Sequence, residues 1–153
     1  MVGISLYALV VFFHLMLIAT AIGINLSYAV WIARGRRDPG QLAFALKGVK
    51  FLDDYIANPC YLGAGATGLG LLALRGWQVE GWLGLAMGLY LLAMLLAYAV
   101  YTPLLSQQIQ ALSDGPTSAA YVRLAARSNQ IGRLMGVLVV LIVLLKTLKP
   151  ALW

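Results

Sequence analysis

The sequence predicts an all-α membrane protein. Its fold is a four-transmembrane-helix bundle, antiparallel and up-down, with both termini outside and helices extending into the cytoplasmic side. Three observations carry this expectation. First, 62% of the 153 residues are hydrophobic and 10% are charged, against roughly 45–50% and about 25% in soluble domains. Mean hydropathy is +0.87. A soluble chain this small needs far more polar surface, and a disordered one far less apolar content. Second, four apolar stretches each approach the ~20 residues with which a helix crosses a bilayer core. Third, basic residues gather in two of the connectors between them.

The first stretch covers residues 6–32. No basic residue precedes Arg34, and the run is longer than the ~7–15 residues of a signal-peptide core, so it reads as a retained helix. The second covers residues 55–74, the third 83–103 and the fourth 131–148. None alternates with period two, which argues against a β-barrel. Helical spacing continues beyond the spans. Leu42, Ala45, Leu46, Val49 and Leu52 repeat on one face, and residues 104–112 and 121–126 behave alike. Arg37-Asp38-Pro39-Gly40 and residues 114–118 read as turns, with Asp114, Thr117 or Ser118 as helix caps. Residues 75–82 make a short outer connection. Trp77, Trp82 and Trp153 fall at the expected outer interface and Trp31 at the inner one. The connectors are too short for a second domain, so residues 1–153 form one unit.

Charge placement sets the expected orientation. Arg34, Arg36, Arg37, Lys47 and Lys50 follow the first span, and Arg123 and Arg127 precede the fourth. The other connector holds only Arg75 and Glu80. Basic residues resist translocation, so the two basic connectors are expected in the cytoplasm. Lys146 and Lys149 oppose this assignment but are outnumbered. The net charge of +6 therefore reads as topology, and as attraction to a bilayer with anionic headgroups on the cytoplasmic side. Nothing points to nucleic acid, because no binding motif is present and the basic residues are not interleaved with exposed aromatics.

Few residues suggest chemistry. Gly63-Ala64-Gly65-Ala66-Thr67-Gly68 spells a dinucleotide-binding string, but it lies inside an apolar span rather than between a strand and a helix. Its physical reading is close helix packing, shared by Gly63, Gly70, Gly84, Gly88, Gly132 and Gly136. These faces serve either this bundle or a homo-oligomer seam. His14 is the single histidine, with Ile18, Ala21, Asn25 and Tyr28 on its helical face. His14 and Asn25 stand about 16 Å apart along the axis and should point into the bundle. An interhelical hydrogen bond, a substrate, proton or quinone site, and haem or metal ligation all compete for His14. No other residue has ligand spacing to it, so no metal site is expected. Cys60 reads as a small buried filler. Asn25-Leu26-Ser27 fits a glycosylation string but lies within a span.

Asp53 and Asp54 lie at the cytoplasmic mouth of the second span, followed by Asn58-Pro59. Arg133 lies at similar depth in the fourth. An unpaired arginine there is costly, so an ion pair from Arg133 to Asp53 or Asp54 is expected. A polar site for a small ligand or ion, drawing on Lys50, Asn129 or Gln130, is the functional alternative.

The pattern resembles the DUF2269 family of predicted bacterial integral membrane proteins. Phe12-Phe13-His14-Leu15, the basic connector after it, and a last helix closing on Leu148-Lys149-Pro150 carry the likeness. The resemblance implies a small bacterial inner-membrane protein, multi-pass, and brings no catalytic residue beyond interest in His14. Three functions fit: a non-catalytic membrane or complex-accessory protein, a haem- or quinone-binding redox protein centred on His14, and a small-solute or ion transporter acting as an oligomer.

Overall fold

A computed structural model describes residues 5–152 of the chain. Trp153, expected at an interface, lies outside the described residues. All the regular structure described is helical. Helix α1 (Leu6–Arg37) starts where the Ser5 hydroxyl accepts the Ala8 N–H at 3.2 Å. It stops at Asp38, whose carboxylate accepts the Gly40 N–H at 3.0 Å and so opens α2 (Pro39–Leu52). Proline suits that first turn because its missing N–H would have no partner there anyway. Helix α3 (Asn58–Leu74) continues α2 after a π-helical turn, Asp53–Ala57. Helices α4 (Gly81–Leu96) and α5 (Thr102–Ala111) are joined in the same way by Ala97–Tyr101. A 3₁₀ turn, Leu112–Asp114, leads to α6 (Ala119–Leu148), which Ser118 caps by accepting the Tyr121 N–H at 3.3 Å.

Both π turns have one local cause. The Asn58 N–H reaches back five residues to the Asp53 carbonyl, and the Thr102 N–H reaches the Ala97 carbonyl. The next residue in each case is a proline, Pro59 or Pro103. A proline ring collides with the preceding turn of an α-helix and lacks a donor. Widening that turn makes room without breaking the rod.

The helices pack antiparallel. Along α1 and the helix returning beside it, His14 meets Thr67, Asn25 meets Tyr61 and Tyr28 meets Asp53. Lys146 of α6 lies over Trp82 of α4, while Gly132 of α6 approaches Tyr101. The buried positions of α1, Ala21, Tyr28 and Gly35, recur every seven residues, the repeat of a left-handed seam. Much of the dense core lies toward one end. There Tyr28, Leu42, Leu46, Val49, Tyr101, Leu105, Tyr121 and Ala125 pack together. Elsewhere the apolar residues face outward. Only 6% of the most apolar window of α1 is buried inside the protein, so lipid is the medium those side chains require.

One expectation is corrected. Three helices, not four, are long and apolar enough to cross a membrane: Leu6–Arg37, Gly81–Asp114 and Ala119–Leu148. The remaining rod, α2 through α3, has no window apolar enough to qualify. It carries Asp53, Asp54, Asn58, Pro59 and Thr67, and its apolar part is diluted by Gly63, Gly65, Gly68 and Gly70. Both termini were expected outside because the two basic connectors were placed in the cytoplasm between four crossings. That placement falls with the count.

The connection between α3 and α4 turns on Gly76, which takes φ +71°. The Gly76 N–H bonds to the Ala73 carbonyl at 3.0 Å and the Trp77 N–H to the Leu72 carbonyl at 3.0 Å. Together they form the hydrogen-bond pair of a Schellman cap.

Gly35 sets the closest approach in the α1–α2 hairpin. A Cβ there would stand 2.7 Å from the Ala45 Cβ and 3.2 Å from the Leu42 Cα, whereas one at Gly23 meets nothing within 4 Å. Gly35→Ala is therefore expected to destabilise by ~1–3 kcal/mol, and Gly23→Ala to be neutral or slightly stabilising. Thermal denaturation of both variants in one detergent checks this; equal midpoints would show that the hairpin tolerates the added methyl.

Candidate functional site

The densest polar cluster surrounds Asp53. Its side chain is 4% exposed and that of Asn58 5%. The Thr102 hydroxyl donates to Oδ2 at 2.7 Å. The Asn58 amide donates to the same oxygen at 3.3 Å and also reaches the Thr102 Oγ1 at 3.3 Å. The Tyr28 hydroxyl donates to Oδ1 at 3.3 Å. Each partner comes from a different part of the chain: Tyr28 from α1, Asn58 from the start of α3, and Thr102 from the start of α5. Asp53 opens one π turn and Thr102 follows the other. The two widened turns thus meet across this carboxyl group.

All three donors are neutral. Among the described residues the ion pairs are Lys50–Asp54 and Arg75–Glu80, and neither touches Asp53. Asp53 lies outside the three spans. Burial pushes its carboxyl up from the ordinary carboxylate value, and the hydrogen bond from Thr102 pulls the other way without cancelling the shift. The arrangement can hold a carboxyl group in either protonation state. Charged, it has donors on both oxygens. Protonated, it can donate in place of the Thr102 or Tyr28 hydroxyl, each of which can turn to accept.

Two further polar contacts line the seam between α1 and α3, and a third joins α3 to α4. The Asn25 amide donates to the Tyr61 hydroxyl at 2.7 Å, and the Tyr90 hydroxyl donates to the Tyr61 carbonyl at 2.9 Å. His14 Nδ1 lies 2.9 Å from Thr67 Oγ1. The Thr67 hydroxyl donates to the Gly63 carbonyl at 2.8 Å, so its oxygen is left to accept from the histidine. Asn25 lies about one turn from Tyr28, whereas His14 is ~16 Å from Asn25 along the helix. Histidine and carboxyl therefore occupy separate sites.

The expected ion pair with Arg133 is not formed. Asp54 pairs with Lys50, one turn before it on the same helix. Asp53 is already surrounded by nearer neutral donors, and Arg133 is exposed on α6. Asn129 is partly buried and Gln130 exposed on the same helix. The glycines divide. Gly63 lies against Leu17, with 3.0 Å from its would-be Cβ, and Gly132 against Tyr101 at 3.8 Å. Gly84 meets Val79 of the connection just before it at 3.6 Å, and Gly70 meets Val10 at 4.0 Å. Gly88 and Gly136 meet nothing within 4 Å, so they hold no helix of this chain. Cys60 is a partly buried free thiol.

Sequence reasoning missed Thr102 and Tyr61, and treated Tyr28 only as a neighbour of His14. A threonine or tyrosine in an apolar helix attracts no notice alone. One signal was present: Asn58-Pro59 and Thr102-Pro103 are the same polar-proline step, each within an otherwise apolar stretch.

Removing the carboxyl should strand three donors. Asp53→Leu is expected to cost at least ~1–3 kcal/mol, the price of a buried unpaired polar group. Asp53→Asn should retain most of the stability, because its amide can accept from Thr102 and donate to the Tyr28 oxygen. The comparison is made by thermal denaturation in detergent. An Asp53→Leu protein as stable as the parent would mean that this carboxyl does not organise the bundle.

Comparison with known proteins bears on the whole chain rather than on this cluster. Residues 3–150 match the model of a family described as "Predicted integral membrane protein (DUF2269)". No curated protein and no solved structure matches the chain. The match runs over nearly the full length and agrees with three helices able to cross a bilayer. The chain belongs to the DUF2269 family, and it is a multi-pass integral protein of the bacterial inner membrane.

Proposed function

We propose that the working group of this protein is the Asp53 carboxyl, which takes up and releases a proton within the bundle, and that the protein is a proton-linked carrier of a small solute or ion. One observation supports the reading above others. A carboxyl group is sealed among Tyr28, Asn58 and Thr102 and forms no ion pair, the nearby Lys50 being paired with Asp54, at the junction of two π-helical turns. A buried charge without a counter-charge is expensive, so protonation is the inexpensive way to keep it there. π turns are frequent at functional positions because a widened turn shifts its register at low cost. Four packed helices enclose little volume, so a continuous path for a solute would lie between several chains.

A second reading, a non-catalytic accessory subunit, draws on a different observation. Gly88 and Gly136 present bare backbone to the outside. Such surface suits close approach by another helix, from a second copy or from a partner. The redox reading at His14 gains nothing comparable, since its hydrogen bond to Thr67 already gives that side chain a structural role. In either reading the basic end, with Arg34, Arg36, Arg37, Arg123 and Arg127, is attracted to anionic headgroups.

Infrared difference spectroscopy of the detergent-solubilised protein tests the carboxyl directly. A protonated-carboxyl band should persist to higher pH than that of an ordinary aspartate, fall as pH rises further, and be absent from Asp53→Asn. The sign for stability follows from the raised value. The native state holds a proton that the unfolded chain releases earlier. The contribution is therefore complete below the ordinary carboxylate value and fades as pH rises through the elevated one. Asp53→Asn should flatten that dependence. In liposomes, proton uptake that Asp53→Asn abolishes supports a carrier. Uptake equal in both proteins, with no carboxyl band, would leave the accessory reading standing alone.

A further inference from the structure

The arginine-rich end carries a groove that the Asp53 site does not use. It has a volume of about 400 Å³ and lies between the end of α1, the start of α2 and the first turns of α6. Its walls differ in chemistry. Leu42, Ala125 and Ala126 line it with apolar surface, and Arg36 and Asn129 line it with a cation and an amide. Tyr121 lines it too, beside Pro116 and Val122; it is 5% exposed and its hydroxyl has no hydrogen-bond partner.

Arg36 has no ion-pair partner among the described residues. The nearest acid in sequence, Asp38, is engaged with the Gly40 N–H as a helix cap. The other charges gathered at this end are largely positive, with Arg34 and Arg37 on α1 and Arg123 and Arg127 on α6. Their summed field attracts an anion and repels a quaternary ammonium. The exposed aromatic pair Trp31–Phe44, with ring centroids 6.2 Å apart, occupies the same end, as amphipathic rings do at the headgroup level. A free inorganic anion would satisfy Arg36 but leave the alanine wall without a partner. A molecule that carries a phosphate next to an alkyl chain satisfies both walls.

We propose that this groove is a specific site for one anionic phospholipid, with the phosphodiester at Arg36, the glycerol ester oxygens within reach of the Asn129 amide, and the first acyl carbons over Ala125 and Ala126. The site rests on the reading that the basic end meets an anionic leaflet, and adds to it a defined pocket. The small side chains of Ala125 and Ala126 let an acyl chain lie against the backbone of α6. The guanidinium supplies the charge-assisted hydrogen bonds that set the phosphate position.

The test titrates the purified full chain, in neutral detergent, with phosphatidylglycerol, phosphatidylcholine or soluble glycerol phosphate, reading the thermal midpoint. Phosphatidylglycerol should raise it saturably, and the other two should not. Arg36→Gln should raise the half-saturating concentration roughly tenfold or more. Ala126→Trp, an exposed position, should fill the groove and remove the response. Arg127→Gln, exposed on the same helix but not lining the groove, should leave it intact. Equal effects of the two lipids would overturn the anionic-leaflet reading and the groove with it. A phosphatidylglycerol effect indifferent to Arg36→Gln and Ala126→Trp, or weakened as much by Arg127→Gln, would leave headgroup attraction in place and overturn the groove. A matching response to glycerol phosphate would identify a soluble anion instead of a lipid.

Discussion

Inside a packed bundle, a polar side chain cut off from water must find its partner within the protein. Asp53 is the most demanding case in this chain, and the bundle is built around meeting it. Its two oxygens collect donors from α1, α3 and α5. Apolar contact between lipid-soluble helices discriminates poorly, because lipid tails are as apolar as leucine. A buried carboxyl discriminates strongly, since misplacing any of its partners leaves a polar group stranded. It therefore fixes the register of α1, the α2–α3 rod and the α4–α5 rod at once.

The π turns belong to the same solution. Each answers a proline in the middle of a long helix, and each displaces the residues beyond it by a fraction of a turn. That displacement brings Thr102 and Asn58 within reach of each other and of Asp53. The last helix, α6, takes no part in this network. It is held by Tyr121 and Ala125 in the apolar core at the basic end, and at the other end by Lys146 and Lys149, each 5.8 Å from the Trp82 ring centre. Cation–π contact there gives Lys146 and Lys149 a partner at the end opposite the arginines.

Much of the candidate site was legible in the residue types. His14, Asn25, Asp53 and Asn58 stand out because polar side chains are rare in apolar helices, and His14 and Asn25 both turn toward α3 in the fold. Their partners were not legible. Tyr28, Tyr61, Tyr90 and Thr102 are amphipathic residues that suit lipid, an interface or a core equally well. Arg133 misled, because depth along a helix says nothing about which way a side chain faces. It lies on the exposed face of α6, and the nearer Lys50 takes Asp54.

Composition and periodicity alone determined that the chain is helical, that it belongs in a membrane, and that its basic residues gather at one end. Those properties are sums over many residues, and no single contact alters them. The number of true spans was not such a sum. It turned on one helix whose glycines and polar residues weaken its claim to lipid, and which the fold instead uses to carry Asp53. Tertiary structure alone decided which donors meet that carboxyl, because they lie 25 and 49 residues from it in sequence and only the antiparallel packing of the helices, shifted by two π turns, brings them together.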